Sequence, residues 1–152
     1  FYFDRSTGAH WSTRTAAENR AASCGMISEG RMSGLFAVVE DRVVGWCNAA
    51  RKSDMTAFAD DPTPGFDNDQ VVFMSCFMVA PSARGQGAAR ALLRGAEDWG
   101  RSLGMSLIEG NPRPKANTPG ANHFGPLELF LSEGYAIDRE GRWDSVYVRK
   151  LL

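Results

Sequence analysis

The spacing of apolar positions changes period several times along the chain, and each change marks an element boundary. Thr15-Ala16-Ala17-Glu18 has the form of a capping box, in which a Thr hydroxyl and a Glu carboxylate satisfy backbone amides at a helix start. Ala17, Ala21, Cys24 and Ile27 then recur at helical spacing and Gly30 supplies a stop, so this stretch is predicted to be a helix. From Leu35 the runs become short and β-rich: 35–39 and 43–49, parted by Glu40-Asp41-Arg42, predict a hairpin. Residues 51–69 keep no sustained period and contain Pro62, Pro64 and Gly65, the pattern of a long loop with room for one short helical turn. Loops of this length in compact domains are often functional.

Residues 71–79 are nearly all apolar, bounded by Asp69 and Pro81, which predicts a central strand covered on both faces. Beyond the connection 80–85, Ala89, Leu92, Leu93, Ala96 and Leu103 fall on one face of a helix, with Arg90, Arg94, Glu97 and Asp98 largely elsewhere. Gly95 and Gly100 each weaken a helix interior by about 1 kcal/mol relative to Ala, so periodicity and not propensity carries this assignment. Gly104 ends it. A short strand at 105–109, a Pro/Gly-rich loop at 111–121, a short helix at 124–132 stopped by Gly134, and two strands at 135–139 and 145–151 about Glu140-Gly141 complete the chain. The order is helix, hairpin, long strand, helix, strand, helix, hairpin. That is an α/β sandwich on a mixed sheet and neither a Rossmann nor a TIM repeat. With no repeat, low-complexity tract or linker, residues 1–152 read as a single domain.

Composition narrows the function classes. Of 152 residues 43% are hydrophobic, and 17 Lys+Arg against 18 Asp+Glu leave a net charge of −1, without the basic excess that phosphate-driven nucleic-acid binding needs. Cys24, Cys47 and Cys76 are odd in number, far apart, and lack the spacing of a zinc site, so no metal is expected and the thiols read as reduced core residues of a cytoplasmic protein. No apolar run approaches the roughly 20 residues of a membrane span, and Phe1-Tyr2-Phe3-Asp4 lacks the basic start of a signal peptide. Trp46, Trp99 and Trp143 are expected in the core or half-buried. Charge is unevenly spread: Asp54, Asp60, Asp61, Asp67 and Asp69 precede the central strand, whereas Arg84, Arg90, Arg94 and Arg101 follow it.

Arg84-Gly85-Gln86-Gly87-Ala88-Ala89 lies between the buried strand and the amphipathic helix. A Gly-rich turn there lets successive amides converge on one spot, and the helix start adds partial positive charge, which suits a phosphate or pyrophosphate. Gly85 and Gly87 carry no side chain to block an approaching ligand, Ala88 and Ala89 keep the approach open, and Arg84 can add a charge-assisted contact. The P-loop is excluded because Ala88-Ala89, not Lys-Ser/Thr, follow Gly87; the dinucleotide fingerprint is excluded because position 90 is Arg.

The stretch from Val79 through Arg84, Gly87 and Ala89 to Leu93 resembles the acetyl-CoA motif of the GCN5-related N-acetyltransferases (GNAT), Arg/Gln-x-x-Gly-x-Gly/Ala. The resemblance runs from about Leu35 to the C-terminus, and the segment from Leu127 to Gly134-Tyr135 is similar to the superfamily's second motif. Gly45-Trp46-Cys47, Cys76-Phe77-Met78-Val79 and Glu109-Gly110-Asn111-Pro112 resemble a bacterial group of unassigned acceptor. The resemblance implies a mixed, mostly antiparallel sheet with helices on both faces and a splay between the two central strands. It also implies acetyl-CoA as cosubstrate and direct attack by an amine of a small molecule or peptide on the thioester. The backbone of Phe77, Met78 and Val79 would bond the pantetheine, the amides of Arg84, Gly85, Gln86, Gly87, Ala88 and Ala89 the pyrophosphate, and an amide near Phe77 or Met78 the developing oxyanion. Superfamily members are often dimers, so a homodimer is one arrangement to consider.

One position departs from the pattern. Where many members carry a Tyr that protonates the leaving thiolate, four residues before Gly134, this chain has Phe130. Three readings follow: another group such as Tyr135, Tyr147, His123 or water serves; the thiolate leaves unaided, as an ordinary thiol pKa near 8.5 allows; or the domain is a non-catalytic acyl-CoA binder or sensor. A phosphate-ligand module without CoA is a further alternative. Strand alternation puts Met105, Leu107 and Glu109 on one face, which nominates Glu109 as general base. The charge contrast then suggests an Arg-bearing helix start for CoA phosphates and an acidic loop for a cationic acceptor.

Overall fold

The computed structural model describes residues 14–55, 57–116, 118 and 120–152. Helix α1 (Ala16–Ser28) opens on the capping box read from sequence: the Thr15 side chain accepts from the Glu18 amide, and the Glu18 carboxylate accepts from the Thr15 amide at 2.7 Å. Its apolar stripe, however, meets little. No α1 residue is buried, Ile27 is 57% exposed, and Cys24 is an exposed thiol, not the core thiol expected. Cys47 is buried and Cys76 half-buried.

Strands β1 (Gly34–Val39) and β2 (Arg42–Arg51) form the expected hairpin. Its turn residues Glu40 and Asp41 both adopt positive φ, 47° and 61°, the backbone twist that matches the flanking strands. Strand β3 (Val71–Val79), helix α2 (Ala88–Ser102) and strand β4 (Leu107–Gly110) follow, then α3 (Leu127–Ser132), β5 (Ala136–Glu140) and β6 (Val146–Leu151). The six strands make one sheet in the order β1-β2-β3-β4-β6-β5, antiparallel except for the central β3–β4 pair. This is the mixed, mostly antiparallel architecture anticipated.

The two sheet faces have separate cores. On one, Val72, Met74, Ile108 and Val148 pack against Leu92, Leu93 and Ala96 of α2 and Phe130 of α3. On the other, Phe73 and Tyr147 pack under Met55, Phe58 and Phe124 from the long loops. The 51–69 segment is therefore a cover: it carries two short 3-10 turns, Lys52–Asp54 and Asn68–Gln70, and lies on the sheet through Phe58. Trp143 is not a core aromatic; it sits at 62% exposure in the β5–β6 turn with φ 55°.

Candidate active site

The central strands pair only part-way. Val71–Met74 run beside Leu107–Gly110, and there β4 ends, while β3 continues to Val79 with β2 as its one strand neighbour. The register of β2 against β3 slips at the same place: Asn48 faces Cys76 and Ala49 faces Met74, so Ser75 is an unmatched bulge residue. The bulge reverses side-chain parity. Val72 and Met74 face α2 below it and Phe77 and Val79 face the same core above it, with Phe73 and Cys76 on the opposite face. An almost wholly apolar run gives no hint of this in sequence, because alternation is invisible where both faces are covered.

A groove of about 1140 Å³ occupies the opening. One wall is Phe77, Met78 and Val79, the other is Gly120, Asn122 and His123, and Arg84 and Ala89 line it as well. Successive strand amides point to opposite sides. The Ala80 amide bonds the Val44 carbonyl on β2, so the amides of Phe77 and Val79 turn toward the opening and that of Met78 toward β2. The Phe77 amide is engaged, donating to the His123 carbonyl at 2.8 Å. The oxyanion donor anticipated near Phe77 or Met78 is therefore held by the chain's own loop at the first position and directed into the sheet at the second.

At the α2 end, Pro81–Ala83 makes one 3-10 turn, Arg84 is extended, and Gly85 and Gly87 take φ 73° and 87°. A Cβ on either glycine would meet nothing within 4 Å, so these positions need glycine for conformation and not for space. No side chain caps α2 and its first turn carries no acid. The first helical bond is Ala91 N–H to the Gly87 carbonyl at 2.9 Å, so the Ala88, Ala89 and Arg90 amides precede the ladder. A bare helix start on a positive-φ glycine turn fits a pyrophosphate. Arg84 folds back, its Nε donating to the Val79 carbonyl at 3.2 Å, and Gln86 donates to the Ser82 carbonyl at 2.9 Å.

The further arginines of α2 are occupied. Arg90 and Arg94 both clasp Glu133 at the end of α3, at 2.6 and 2.7 Å, and Arg101 pairs with Asp98 and Glu97 at its own helix end. Bonding to Arg94 holds the Glu133 carboxyl below the ordinary range. These bases tie helices together, which revises the picture of a basic helix start assembled for phosphates: backbone amides and Arg84 are what the turn offers.

Glu109 also differs from its expected part. Its side chain has no solvent exposure and both oxygens are spent: Oε2 accepts from Lys52 Nζ at 2.7 Å and Oε1 from Arg139 at 2.7 Å. Lys52 is equally enclosed, donates to Thr63 Oγ1 at 2.7 Å, and lies 5.2 Å from the Tyr147 ring centre. This carboxylate, without solvent exposure and bonded to two cations, is not among the residues that line the groove. Burial pulls the Lys52 ammonium below the ordinary lysine value, opposed by its bond to Glu109. Asp61 extends the cluster, accepting from Tyr147 at 2.7 Å and pairing with Arg142 at 2.6 Å. One of the five loop acids thus anchors the loop. Sequence reasoning missed Lys52, Arg139 and Asp61 as partners because they come from distant segments.

Phe130 is fully buried, edge-on to Phe77 at 5.9 Å and to Tyr135 at 5.2 Å, with its ring in the space a side chain at Gly110 or Gly125 would need. The tyrosines offered as substitutes are also sequestered. Burial raises both hydroxyls well above the ordinary tyrosine value, Tyr135 within the α2-side core and Tyr147 in the ionic cluster, where the Asp61 bond adds to the effect.

A split central pair, a groove along the free strand and a bare glycine-turned helix start are the features the acetyltransferase resemblance implies for receiving a CoA-bearing cosubstrate. The chain belongs to the GNAT acetyltransferase family, whose model matches residues 2–120. Among solved structures it is similar to a GCN5-related N-acetyltransferase from Kribbella flavida, at 26% identity over 95% of this chain and 81% of that one, with a TM-score of 0.61. In fold it is similar to a ribosomal-protein-alanine N-acetyltransferase from Brucella melitensis (23% identity, 95% and 84% covered, TM-score 0.62). The same holds for an acetyltransferase from Salmonella typhimurium solved with its cofactor acetyl-CoA (21%, 95% and 79%, 0.62). Comparison with curated proteins gives no match. As a member of that family the protein is an acetyltransferase. No helix among the described residues is long and apolar enough to cross a membrane.

Proposed function

We propose that residues 1–152 act as one cytoplasmic acetyltransferase domain that moves the acetyl group of acetyl-CoA to an amine of a small molecule or peptide inside the β3–β4 opening. The observation that carries this is the continuity of one groove from the Arg84–Ala89 turn to Phe77. In this reading the amides of Gly85 to Ala89 and the Arg84 guanidinium hold the pyrophosphate, and the backbone of Phe77, Met78 and Val79 lies along the pantetheine, with the Val79 amide as its donor. The Phe77 amide becomes available to the thioester oxygen once the His123 carbonyl withdraws. Such a donor contributes about 2.7–4 kcal/mol to an acyl-transfer barrier. Holding amine and thioester side by side supplies much of the rest.

Thermal unfolding with CoA and acetyl-CoA, and release of free thiol with a panel of amines and peptide N-termini, test the reading together. A rise in Tm with both ligands and thiol release with at least one amine are expected. No shift with either ligand would remove the groove from the mechanism.

A further inference from the structure

The opening between the central strands has a vertex, and an aromatic ring lies on it. Strands β3 and β4 part after the pair Met74–Gly110. Phe77 stands three residues further along β3, about 10 Å at the rise of a strand. On the helix side of the vertex there is no unused space. A Cβ placed on Gly110 would stand 2.7 Å from Phe130 Cε1 and 2.8 Å from its Cζ, nearer than carbon atoms approach without contact being forced.

The ring is held firmly. Phe130 is fully buried in the α2-side core, edge-on to Phe77 at 5.9 Å and to Tyr135 at 5.2 Å. These supports come from β3, β4 and the residue leading into β5, so withdrawal of the His123 carbonyl from the Phe77 amide leaves them in place. With the pyrophosphate at the Arg84–Ala89 turn and the thioester at the Phe77 amide, the cofactor runs down β3 and its acyl end points at the vertex. A methyl group is short of the ring. Each further methylene is directed at packed aromatic carbon, and forcing extra carbons into a filled core displaces side chains and backbone.

We propose that Phe130 sets the length of the acyl group this acetyltransferase accepts, admitting acetyl and shutting out butyryl and longer chains; this rests on the cofactor reading above. Phenylalanine at this position then has a part that needs no hydroxyl, since its ring edge and not a proton is what the acyl end meets.

Binding of acyl-CoA thioesters tests the assignment, because calorimetric titration needs no acceptor amine. CoA and its acetyl, propionyl, butyryl and hexanoyl thioesters are titrated into the parent and into Phe130→Leu, which lacks the Cε and Cζ atoms that lie on Gly110. In the parent, affinity should fall at least about tenfold from acetyl-CoA to butyryl-CoA. In Phe130→Leu, butyryl-CoA should bind roughly tenfold tighter than it does to the parent, as its two further methylenes gain an apolar site, while CoA binds as before. A loss of packing alone would not reverse the order of ligands. A parent that binds all four thioesters within about twofold, or a folded variant that keeps the parental order, overturns the role of Phe130 and leaves the cofactor reading standing. Should Phe130→Leu fail to fold, Phe130→Met is read in the same way, because its unbranched chain can swing clear of the vertex. If the parent binds neither CoA nor acetyl-CoA, the proposal falls together with the cofactor reading.

Discussion

Lys52 Nζ and Glu109 Oε2 lie 2.7 Å apart with neither side chain exposed to solvent, and they join the end of β2 to the end of β4 just where the central strands part. Removing one partner of a buried pair leaves the other charged and uncompensated, typically at a cost of about 3–5 kcal/mol. Glu109→Gln should therefore lower stability by that order in urea denaturation. Below its own, lower unfolding temperature it should still show the acetyl-CoA-induced rise in Tm. A variant with parental stability and abolished turnover would instead return Glu109 to the catalytic machinery.

Phe130→Tyr restores the residue type of the family pattern but not its chemistry. The far end of the ring abuts Gly110 on β4, so the added hydroxyl enters packed apolar surroundings without a partner. Such a group costs about 1–3 kcal/mol. The variant should melt a few degrees lower and release thiol no faster than the parent, and a clear gain in kcat would refute the enclosure of this position.

Gly87 needs its positive φ, and the α2 amides beside it need an open approach. Gly87→Asp supplies a strained residue and a negative charge where a pyrophosphate is to be received. With Arg84→Ala it should abolish the acetyl-CoA thermal shift, read by calorimetry as a loss of binding of at least a hundredfold, while far-UV circular dichroism stays native.

The clasp of Arg90 and Arg94 on Glu133 gives an acid-side signature. The folded carboxyl is held below its ordinary value, chiefly by Arg94, so folding favours its ionised form. The stabilisation is present above the ordinary carboxylate range and disappears as pH falls through the folded value. Glu133→Gln should melt below the parent at about pH 7, and the two curves should converge as the parent is titrated toward about pH 3. A gap constant across that range would dissociate Glu133 from the acid transition.

Most of the element order could be read from sequence because period and punctuation agree. Thr15 and Glu18 cap α1 as their spacing requires, and the expected strand at 71–79 has the observed bounds of β3. Three features could not be read, each for a physical reason. The helical spacing of Ala17 to Ile27 fixes a helix but not a neighbour, and among the described residues none buries that face. Alternation places Glu109 on its strand but says nothing of its partners, since a pairing 57 residues away leaves no local periodic trace. The α2 arginines looked like a phosphate-receiving face, yet whether a surface base is committed depends on an acid such as Glu133 that only the packed fold brings near.

The unmatched Ser75 makes β3 two strands in one, each with its own choice of which side chains face the helices. Below it, substitutions from Val71 to Met74 act on the sheet; above it, substitutions from Phe77 to Val79 act on the groove. Deleting Ser75 would leave Met74 and Cys76 next to each other opposite Ala49 and Asn48 in regular alternation, with Phe77 and Val79 still facing the helices. What would go is the bend and added twist that a bulge gives a strand, at the point where β3 leaves β4.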